Sequence, residues 1–425
     1  MSTDFQTSQE YALQLDRQDP LASYRDRFVI SDPELVYFDG NSLGRLPKSV
    51  IERFRSTIEE EWGRDLVGGW NKGWWEAPTR IGDKIAKLVG ASAGEVLACD
   101  SVSINLFKLV VAALKIQTGR TKIITDTLNF PSDLYILQGV AQLLGGQHEI
   151  VRIGSKDGDI TPDLARLESE IDEKTALVTL SHVVFKSGYL YDMRRITEMA
   201  HRKGALVLWD LSHSVGAVPI ALEACNVDFA LGCTYKYLNG GPGAQSFLYV
   251  RKDLHEQSSS PIWAWWGQNT PFDFGLDYTP AAGVKHFLTG TQSILSLLAM
   301  EEALNPLLEA GMEAIRAKSV QMTEYAISLH DAMLAPLGFT LGSPREAERR
   351  GSHISIRHPD GYRINRALIE EMKVVPDFRA PDNIRLGFAP LYTSFAEVWE
   401  GMERIRRAVA EKRYEKYSQQ RTTVT

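Results

Sequence analysis

Six short apolar runs, separated by helical stretches, constrain the fold of this chain most strongly. The runs have no polar–apolar alternation, which is typical of strands buried on both faces of a sheet. Amphipathic periodicity fills several of the gaps, for example at residues 134–144 and 162–171. Strands alternating with helices predict an α/β fold with a mostly parallel sheet. The six runs are residues 122–125, 150–153, 176–180, 205–209, 227–230 and 246–250.

The pattern changes after about residue 305. Residues 310–334 have the periodicity of one long helix, with Pro336 just past its end, and residues 353–357 alternate like a half-exposed strand. A last helix opens with Ser394 and Glu397 in capping-box spacing, and its apolar stripe predicts a face packed on a core. These features predict a smaller α+β domain at the C-terminus.

Composition narrows the classes of function. With 47 Lys and Arg against 54 Asp and Glu, the net charge is -7, which disfavours nucleic acid as a partner. The only cysteines, Cys99, Cys225 and Cys233, are too few for a disulfide scaffold and indicate a reducing compartment. The first 20 residues lack the features of a signal peptide, and no stretch reaches the roughly 20 apolar residues of a membrane span. We therefore expect a cytoplasmic protein that does not bind membranes.

Several common cofactor motifs are absent from the sequence. There is no Walker loop, no G-x-G-x-x-G after a strand, no H-E-x-x-H and no C-x-x-C. Nicotinamide enzymes, nucleotidases and zinc hydrolases are correspondingly disfavoured, and we expect no metal.

Asp210, His213 and Lys236 are the most informative polar residues. Asp210 ends an apolar run, where ligands collect in open α/β sheets. Lys236 follows the next run and precedes a glycine-rich turn. An acid and a lysine in this order suit pyridoxal phosphate, because the lysine bonds to the aldehyde and the acid keeps the pyridine nitrogen protonated. Taken singly, Asp210 is better explained as a helix cap and Lys236 as a surface lysine, and only the pair in this order and context favours a cofactor site.

Two predicted helix starts could hold the rest of such a cofactor. Residues 100–107 supply hydroxyl groups at a helix N-terminus, which suits a phosphate, although plain N-capping explains them as well. Phe130 and Asp133 flank a second start, where the ring could stack on the cofactor. A proline-initiated helix with a core phenylalanine is the alternative interpretation.

The sequence resembles the kynureninase family over residues 35–410. That family consists of pyridoxal-phosphate enzymes with the aspartate-aminotransferase fold, also called the PLP-dependent transferase fold or fold type I. The resemblance implies a large, mostly parallel sheet domain with a smaller α+β C-terminal domain. The matching blocks are residues 37–47 (YFDGNSLGRLP), 130–133 (FPSD), 209–216 (WDLSHSVG), 235–239 (YKYLN), 265–267 (WWG) and 390–393 (PLYT).

The resemblance also implies domain boundaries and a reaction. Residues 1–60 would form an N-terminal arm and part of the small domain, residues 61–305 the cofactor-binding domain and residues 306–425 the small C-terminal domain. The reaction would be hydrolytic cleavage of L-kynurenine to anthranilate and L-alanine, or of its 3-hydroxy derivative, in tryptophan degradation and NAD synthesis.

The resemblance carries roles onto individual residues. Lys236 would bond to the cofactor and act as a base, Asp210 would hold the ring nitrogen, and Tyr235 would donate a proton or bind the phosphate. Arg385 would bind the substrate carboxylate in a bidentate fashion. The full cofactor set is Val102, Ser103, Phe130, Pro131, Ser132, Asp133, Ser181, Asp210, His213, Tyr235, Lys236, Trp265 and Thr291, and the candidates for the aryl pocket are Asn41, Ser42 and Trp70.

The resemblance further implies a homodimer with shared active sites, since Trp265 and Thr291 would come from the neighbouring subunit. Two positions depart from the family pattern. Ser103 stands where threonine is common, and Thr291 where asparagine occurs in some members. Both residues keep a polar group, so only the preference for ring substituents is left open.

Two enzyme classes of the same fold, and one scaffold class, remain as alternatives. An aminotransferase would keep Lys236 and Asp210 but would need an oxo-acid acceptor. A cysteine desulfurase needs a reactive cysteine late in the chain, and none follows Cys233. A catalytically silent scaffold has no need of Lys236, Asp210 and Arg385 together.

Overall fold

The computed structural model describes residues 5–420, which form twelve α-helices and thirteen strands. The helices are α1 Gln9–Gln18, α2 Lys48–Ser56, α3 Ala77–Val89, α4 Val102–Ile116, α5 Pro131–Leu143, α6 Leu164–Glu170, α7 Met193–His201, α8 Ile294–Ala303, α9 Asn305–Ala310, α10 Met312–Leu329, α11 Gly361–Glu371 and α12 Phe395–Ala410. The strands are β1 Val36–Tyr37, β2 Val96–Ala98, β3 Lys122–Asp126, β4 Glu149–Ile153, β5 Thr175–Ser181, β6 Leu206–Asp210, β7 Phe229–Gly232, β8 Phe247–Val250, β9 Thr340–Leu341, β10 His353–Arg357, β11 Val374–Val375, β12 Asp377–Arg379 and β13 Asn383–Gly387.

The largest sheet has seven strands in the order β2-β8-β7-β6-β5-β3-β4. Of these, β8 alone runs antiparallel to its neighbours. All six apolar runs became strands, β3 to β8, so the predicted α/β fold with a mostly parallel sheet is confirmed. The strand that sequence inspection missed, β2, is only three residues long.

Both faces of this sheet are buried, which explains the uninterrupted apolar runs. Along β6, Val207 and Trp209 belong to one hydrophobic cluster, whereas Leu206 and Leu208 belong to another on the opposite face. Alternate side chains therefore enter separate cores, and no position of the strand faces water.

A four-stranded antiparallel sheet, in the order β12-β13-β10-β9, forms the core of the C-terminal part. The predicted capping box of Ser394 and Glu397 is present, and the apolar stripe of α12 is buried. The predicted long helix is α10, which begins at Met312 and ends at Leu329, with a wider turn from His330 to Leu334 before Pro336.

The prediction of a half-exposed strand at residues 353–357 was wrong. All of β10 is buried except the partly exposed Arg357. Ile354 and Ile356 enter the C-terminal core, while the His353 ring lies 5.6 Å from that of His213. The alternation marked a polar face that packs toward a polar cavity, not one that faces solvent.

The N-terminal segment lies against the C-terminal part. β1 pairs in parallel with β11, and Asp16 of α1 accepts hydrogen bonds from the Phe395 and Ala396 amides at the start of α12. The division of the chain at residues 60 and 305 stays a prediction. None of the helices between residues 5 and 420 has the length and apolar composition that a bilayer crossing requires.

Candidate active site

A cavity of about 260 Å³ lies at the carboxyl end of β6, next to the C-terminal sheet. This is the edge at which open α/β sheets bind ligands. Its lining brings together distant parts of the sequence. The lining residues are Asn41, Ser42, Val102, Ser103, Phe130, Ser132, Asp133, Asp210, Ser212, His213, Tyr235, Lys236, Arg379 and Arg385.

Most of the predicted site residues line this cavity, but five do not. Pro131 is the first residue of α5, and Ser181 ends β5 beside Asp210, where its hydroxyl donates to Asn129 Oδ1 at 2.6 Å. The other three, Trp70, Trp265 and Thr291, do not line the cavity. Sequence inspection assigned no role to two residues of the lining, Ser212 and Arg379.

Lys236 and His213 form the central contact, with 2.8 Å between Lys236 Nζ and His213 Nε2. Burial, together with the charges of Lys236 and Arg385, holds the pKa of His213 well below its usual range. The ring is therefore neutral at neutral pH, and its Nε2 can accept a hydrogen bond from the lysine.

Asp210 and Asp133 form a buried carboxyl pair. Ser212 N donates to Asp210 Oδ1 at 2.8 Å, and the two carboxyl groups hydrogen-bond to each other. Burial raises the pKa of Asp210, and burial with the neighbouring Asp210 charge raises that of Asp133 well above the usual range. Neither carboxyl has an ion pair among residues 5–420. The Lys236 charge lies close enough to lower the pKa of both carboxyl groups, and a protonated ring nitrogen would add a cation directly beside Asp210.

The start of α4 is suited to an anion. Ser101 is the N-cap, and its hydroxyl accepts from Ile104 N at 3.4 Å. The first amides of a helix have no partner within it and carry the positive end of its dipole, so those of Val102 and Ser103 can bind a phosphate. The Ser103 and Ser132 hydroxyls, 3.4 Å apart, add two donors. Capping and anion binding are therefore compatible, since Ser101 caps the helix while Ser103 and Ser132 remain as donors to an anion.

Arg385 is buried and already engaged on one edge. Its Nε donates to Asp377 Oδ1 at 2.7 Å and its Nη2 to Asp377 Oδ2. The expected bidentate contact with a substrate cannot use this edge, because Asp377 occupies it. A substrate carboxylate must instead share the Nη1–Nη2 edge with the Phe185 carbonyl and the Ser42 hydroxyl.

The same cluster contains Asp39 and Arg379. Burial disfavours the charge on Asp377, but Arg385 and Arg379 outweigh it and hold the pKa of Asp377 below its usual range. Burial and the Asp377 charge raise the pKa of Asp39 to about 6. Of the two carboxyls, Asp39 therefore takes the proton first.

Asn41 and Tyr235 complete the polar lining. The Asn41 side chain is fully buried, and neither its amide nitrogen nor its oxygen has a hydrogen-bond partner, so both are available to a ligand. The adjacent Cys233 thiol and burial raise the pKa of Tyr235, so the phenol keeps its proton at neutral pH. Its ring centroid lies 6.0 Å from Lys236 Nζ.

Trp70 lies in an aromatic cluster outside the cavity. Its ring centroid is 6.0 Å from that of Trp265 and 5.3 Å from that of Trp266. Trp265 is 37% exposed and Thr291 is exposed. Within one chain, then, Trp70 belongs with Trp265 and not with Asn41 and Ser42.

The described residues meet the requirements of neither a metal site nor a reactive cysteine at Cys233. No group of three His, Cys, Asp or Glu side chains between residues 5 and 420 could hold a metal ion. Cys233 is buried, and burial raises its pKa, so it is not an activated thiol.

Two family models and several curated proteins match this chain. Residues 315–405 match a family model described as the kynureninase C-terminal domain, and residues 65–226 match the DegT/DnrJ/EryC1/StrS aminotransferase family. A kynureninase of Pseudomonas fluorescens is 42% identical over 93% of this chain and 94% of its own length. One of Burkholderia pseudomallei (strain 1106a) is 41% identical over 94% of this chain and 95% of its own.

Solved structures share the fold at lower identity. A cysteine desulfurase of Thermococcus onnurineus NA1 superposes with a TM-score of 0.76, at 19% identity, over 94% of this chain and 98% of its own. A C-DES mutant with glycine covalently linked to its PLP cofactor superposes with a TM-score of 0.75, at 18% identity, over 88% and 97%. These similarities establish fold type I.

Proposed function

This chain belongs to the kynureninase family of pyridoxal-phosphate enzymes, and we propose that its cavity is the site at which L-kynurenine is hydrolysed. Water adds to the γ-carbonyl, the Cβ–Cγ bond breaks, and anthranilate and L-alanine leave. The observation that carries this proposal is the meeting of Lys236, His213 and the Asp210–Asp133 pair in one cavity that also contains Arg385.

The residues present fit pyridoxal phosphate. Lys236 would bond to its aldehyde, Asp210 would hold the pyridine nitrogen, and the start of α4 would take the phosphate at Val102 and Ser103. Phe130, partly exposed at the cavity edge, would stack on the ring. When bound, the cofactor supplies an electron sink for the carbanion formed at Cα.

Proton transfers fall to three side chains. Lys236 Nζ is the base for the Cα proton, and neutral His213 accepts a hydrogen bond from it and so orients the amine. The Tyr235 phenol, which keeps its proton, serves as an acid near the reacting atoms. These roles follow from the lowered pKa of His213, which keeps its ring neutral, and the raised pKa of Tyr235, which keeps its phenol protonated.

Substrate binding falls to the residues on the opposite wall. The Nη1–Nη2 edge of Arg385 would bind the α-carboxylate, with Asp377 fixing the guanidinium from behind. Asn41, whose amide has no partner, and Ser42 would face the aryl ketone.

We further propose a homodimer with two shared sites. Large apolar side chains are exposed at residues 62–67 and 263–276, including Trp263 at 67%, Phe274 at 81% and Leu276 at 102%. Exposed apolar patches of this kind mark interfaces. Through this surface Trp265 and Thr291 would reach the partner's cavity, and Trp70, which packs on Trp265, would accompany them. The three unpaired cysteines support a reducing, cytoplasmic location.

Product analysis tests the function. The purified protein, loaded with pyridoxal phosphate, is given L-kynurenine without any oxo acid, with Lys236→Ala as the matched control. We expect fluorescent anthranilate and L-alanine in equal amounts from the wild type and neither from the variant. Turnover that requires an oxo acid would identify an aminotransferase instead, and a colourless protein would refute the cofactor.

A further inference from the structure

A second cavity, of about 340 Å³, lies between the segment of residues 182–192, helix α7 and helix α10. It shares no lining residue with the catalytic cavity. Its walls are largely apolar, formed by side chains such as Leu190, Ile196 and Val218, and five charged residues, Arg316 among them, also line it. Nothing in the proposed reaction uses this space.

Arg316 carries a guanidinium nitrogen without a partner. Its Nη2 donates to the carbonyl oxygens of Ala347 at 2.6 Å and Arg350 at 2.9 Å, whereas Nη1 is buried and makes no hydrogen bond. No ion pair involves Arg316 in the part of the chain that the structure describes. Burial and the nearby Arg350 lower the pKa of Arg316 to about 10, so it stays charged at neutral pH.

Two buried cations of this chain have carboxylate partners, whereas the half-buried Arg316 has none among the described residues. Lys108 pairs with Asp100 at 2.7 Å, and Lys318 pairs with Asp19 at 2.7 Å. An uncompensated buried charge is costly, and a partner of opposite charge offsets that cost. Arg316 is therefore suited to an anion that is not part of the chain.

His182 provides a second unpartnered group in the same cavity. The residue is 5% exposed, and its Nδ1 has no hydrogen-bond partner. Burial lowers the pKa of His182 to about 4, so the ring is neutral, and its one N–H is engaged by the Tyr191 backbone, which leaves an acceptor nitrogen for a ligand. Arg195, Arg349, Asp192 and Glu348 also line the cavity, and Arg195 lies 3.8 Å from the Glu168 carboxylate.

We propose that this cavity binds a small monocarboxylate with an apolar body, its carboxylate on Arg316 Nη1 and its body against Leu190, Ile196 and Val218. The volume admits one small molecule, and the one unpartnered guanidinium nitrogen of Arg316 offers a place for one carboxylate. An inorganic anion fits this cavity less well than an organic carboxylate, because it would make no contacts with the apolar walls.

A bromine-labelled probe tests this directly. Crystals of the holoenzyme are soaked in 4-bromobenzoate, and the anomalous signal of bromine locates the ligand. We expect a peak in this cavity, with the carboxylate within hydrogen-bonding distance of Arg316 Nη1. A peak in the catalytic cavity alone, or no peak, would overturn the proposal.

Calorimetric titration of the holoenzyme with 4-bromobenzoate gives an independent measurement. We expect Arg316→Met to weaken this binding at least tenfold. Arg202→Met removes an exposed arginine nearby that meets Glu168 only at 3.8 Å, and it should leave binding unchanged. Leu190→Trp fills the cavity and leaves Arg316 intact, so it decides the matter if Arg316→Met does not fold. Undiminished binding by both cavity variants would contradict the assignment.

Discussion

The buried carboxyl pair of Asp210 and Asp133 sets what the catalytic cavity can bind. Burial favours the protonated forms of both groups and outweighs the opposing charge of Lys236. A pyridinium N–H bound next to Asp210 would reverse this preference, because opposite charges stabilise each other where water is excluded. The same pairing would keep the ring nitrogen protonated.

Replacing Asp210 by Asn tests that pairing. The amide cannot hold the ring proton, so we expect turnover to fall on the order of 10³-fold while the fold persists. Asp126→Asn makes the same chemical change at another buried aspartate, one that contacts Tyr191 outside the cavity, and should leave the chemical step nearly unaffected. Steady-state kinetics of both variants decide the matter, and an unchanged kcat in Asp210→Asn would remove Asp210 from the site.

Asp39 makes the stability of the protein depend on pH. Its pKa is about 6 in the folded protein against 3.8 ordinarily, because of burial and the Asp377 charge. The folded state thus binds this proton more tightly than the unfolded chain does. The resulting stabilisation is complete below the ordinary pKa and is lost as pH rises through 6.

Asp39→Asn cannot ionise and should escape this loss. We expect the free energy of unfolding of the variant, relative to the wild type, to improve by about 2 kcal/mol between pH 4.5 and pH 7. Differential scanning calorimetry at the two pH values measures the difference. A difference between the proteins that does not vary with pH would show that Asp39 titrates normally.

Some residues of the site could be predicted from the sequence, and others could not. Lys236, Asp210 and Arg385 could be predicted because family motifs or strand ends mark them, and all three line the cavity. Asp377 was missed, since its role depends on an antiparallel pairing of β12 with β13 that no local pattern encodes. Trp70 packs on Trp265 through contacts distant in the chain, so no local pattern shows which side chains lie beside it, and its place in the aryl pocket stays a prediction.

At the scale of elements, Asp100 joins the start of α4 to the segment that carries Thr291. Asp100 lies in the left-handed region, with φ +49°. Its carboxylate accepts hydrogen bonds from the buried Lys108 at 2.7 Å and from Thr289 Oγ1 at 2.7 Å, and its backbone N–H donates to Gln292 Oε1. The phosphate-binding amides and the segment that we propose to face the partner are thus held by one side chain.

Lys108→Met should loosen both elements. It leaves Asp100 partly buried without its cation, which costs about 3–5 kcal/mol, so we expect a lower Tm and weaker binding of pyridoxal phosphate. Lys115→Met, on the same helix but exposed, should change stability by less than about 0.5 kcal/mol. Thermal unfolding and cofactor titration measure these effects, and equal behaviour of the two variants would contradict the role of Asp100.

The elements themselves were predictable where packing and periodicity agree. The strands of the large sheet are buried on both faces, so their apolar runs stand out in the sequence. β10 was misjudged because its polar face is covered by the catalytic part of the molecule, and alternation alone does not distinguish a polar cavity from solvent.

At the scale of the whole molecule, the exposed aromatic surface leads us to expect a dimer with shared active sites, which mixing two inactive variants can test. One parent carries Lys236→Ala, and the other carries inactivating changes at Trp265 and Thr291. If the sites are shared, random reassortment makes half of the dimers mixed, and each mixed dimer has one intact site. About one quarter of all sites should then be active after the parents are mixed, partly unfolded and refolded. Recovery of no activity would show that each site belongs to a single chain.

The account as a whole depends on Lys236 holding the cofactor in this cavity. The most direct measurement is reduction of the holoenzyme with sodium borohydride, followed by mass spectrometry of its peptides, because reduction makes the lysine–cofactor bond permanent. We expect one pyridoxyl group per chain, on Lys236, and none on Lys236→Ala treated in the same way. A label on any other lysine, or equal labelling of the variant, would contradict the assignment of the site.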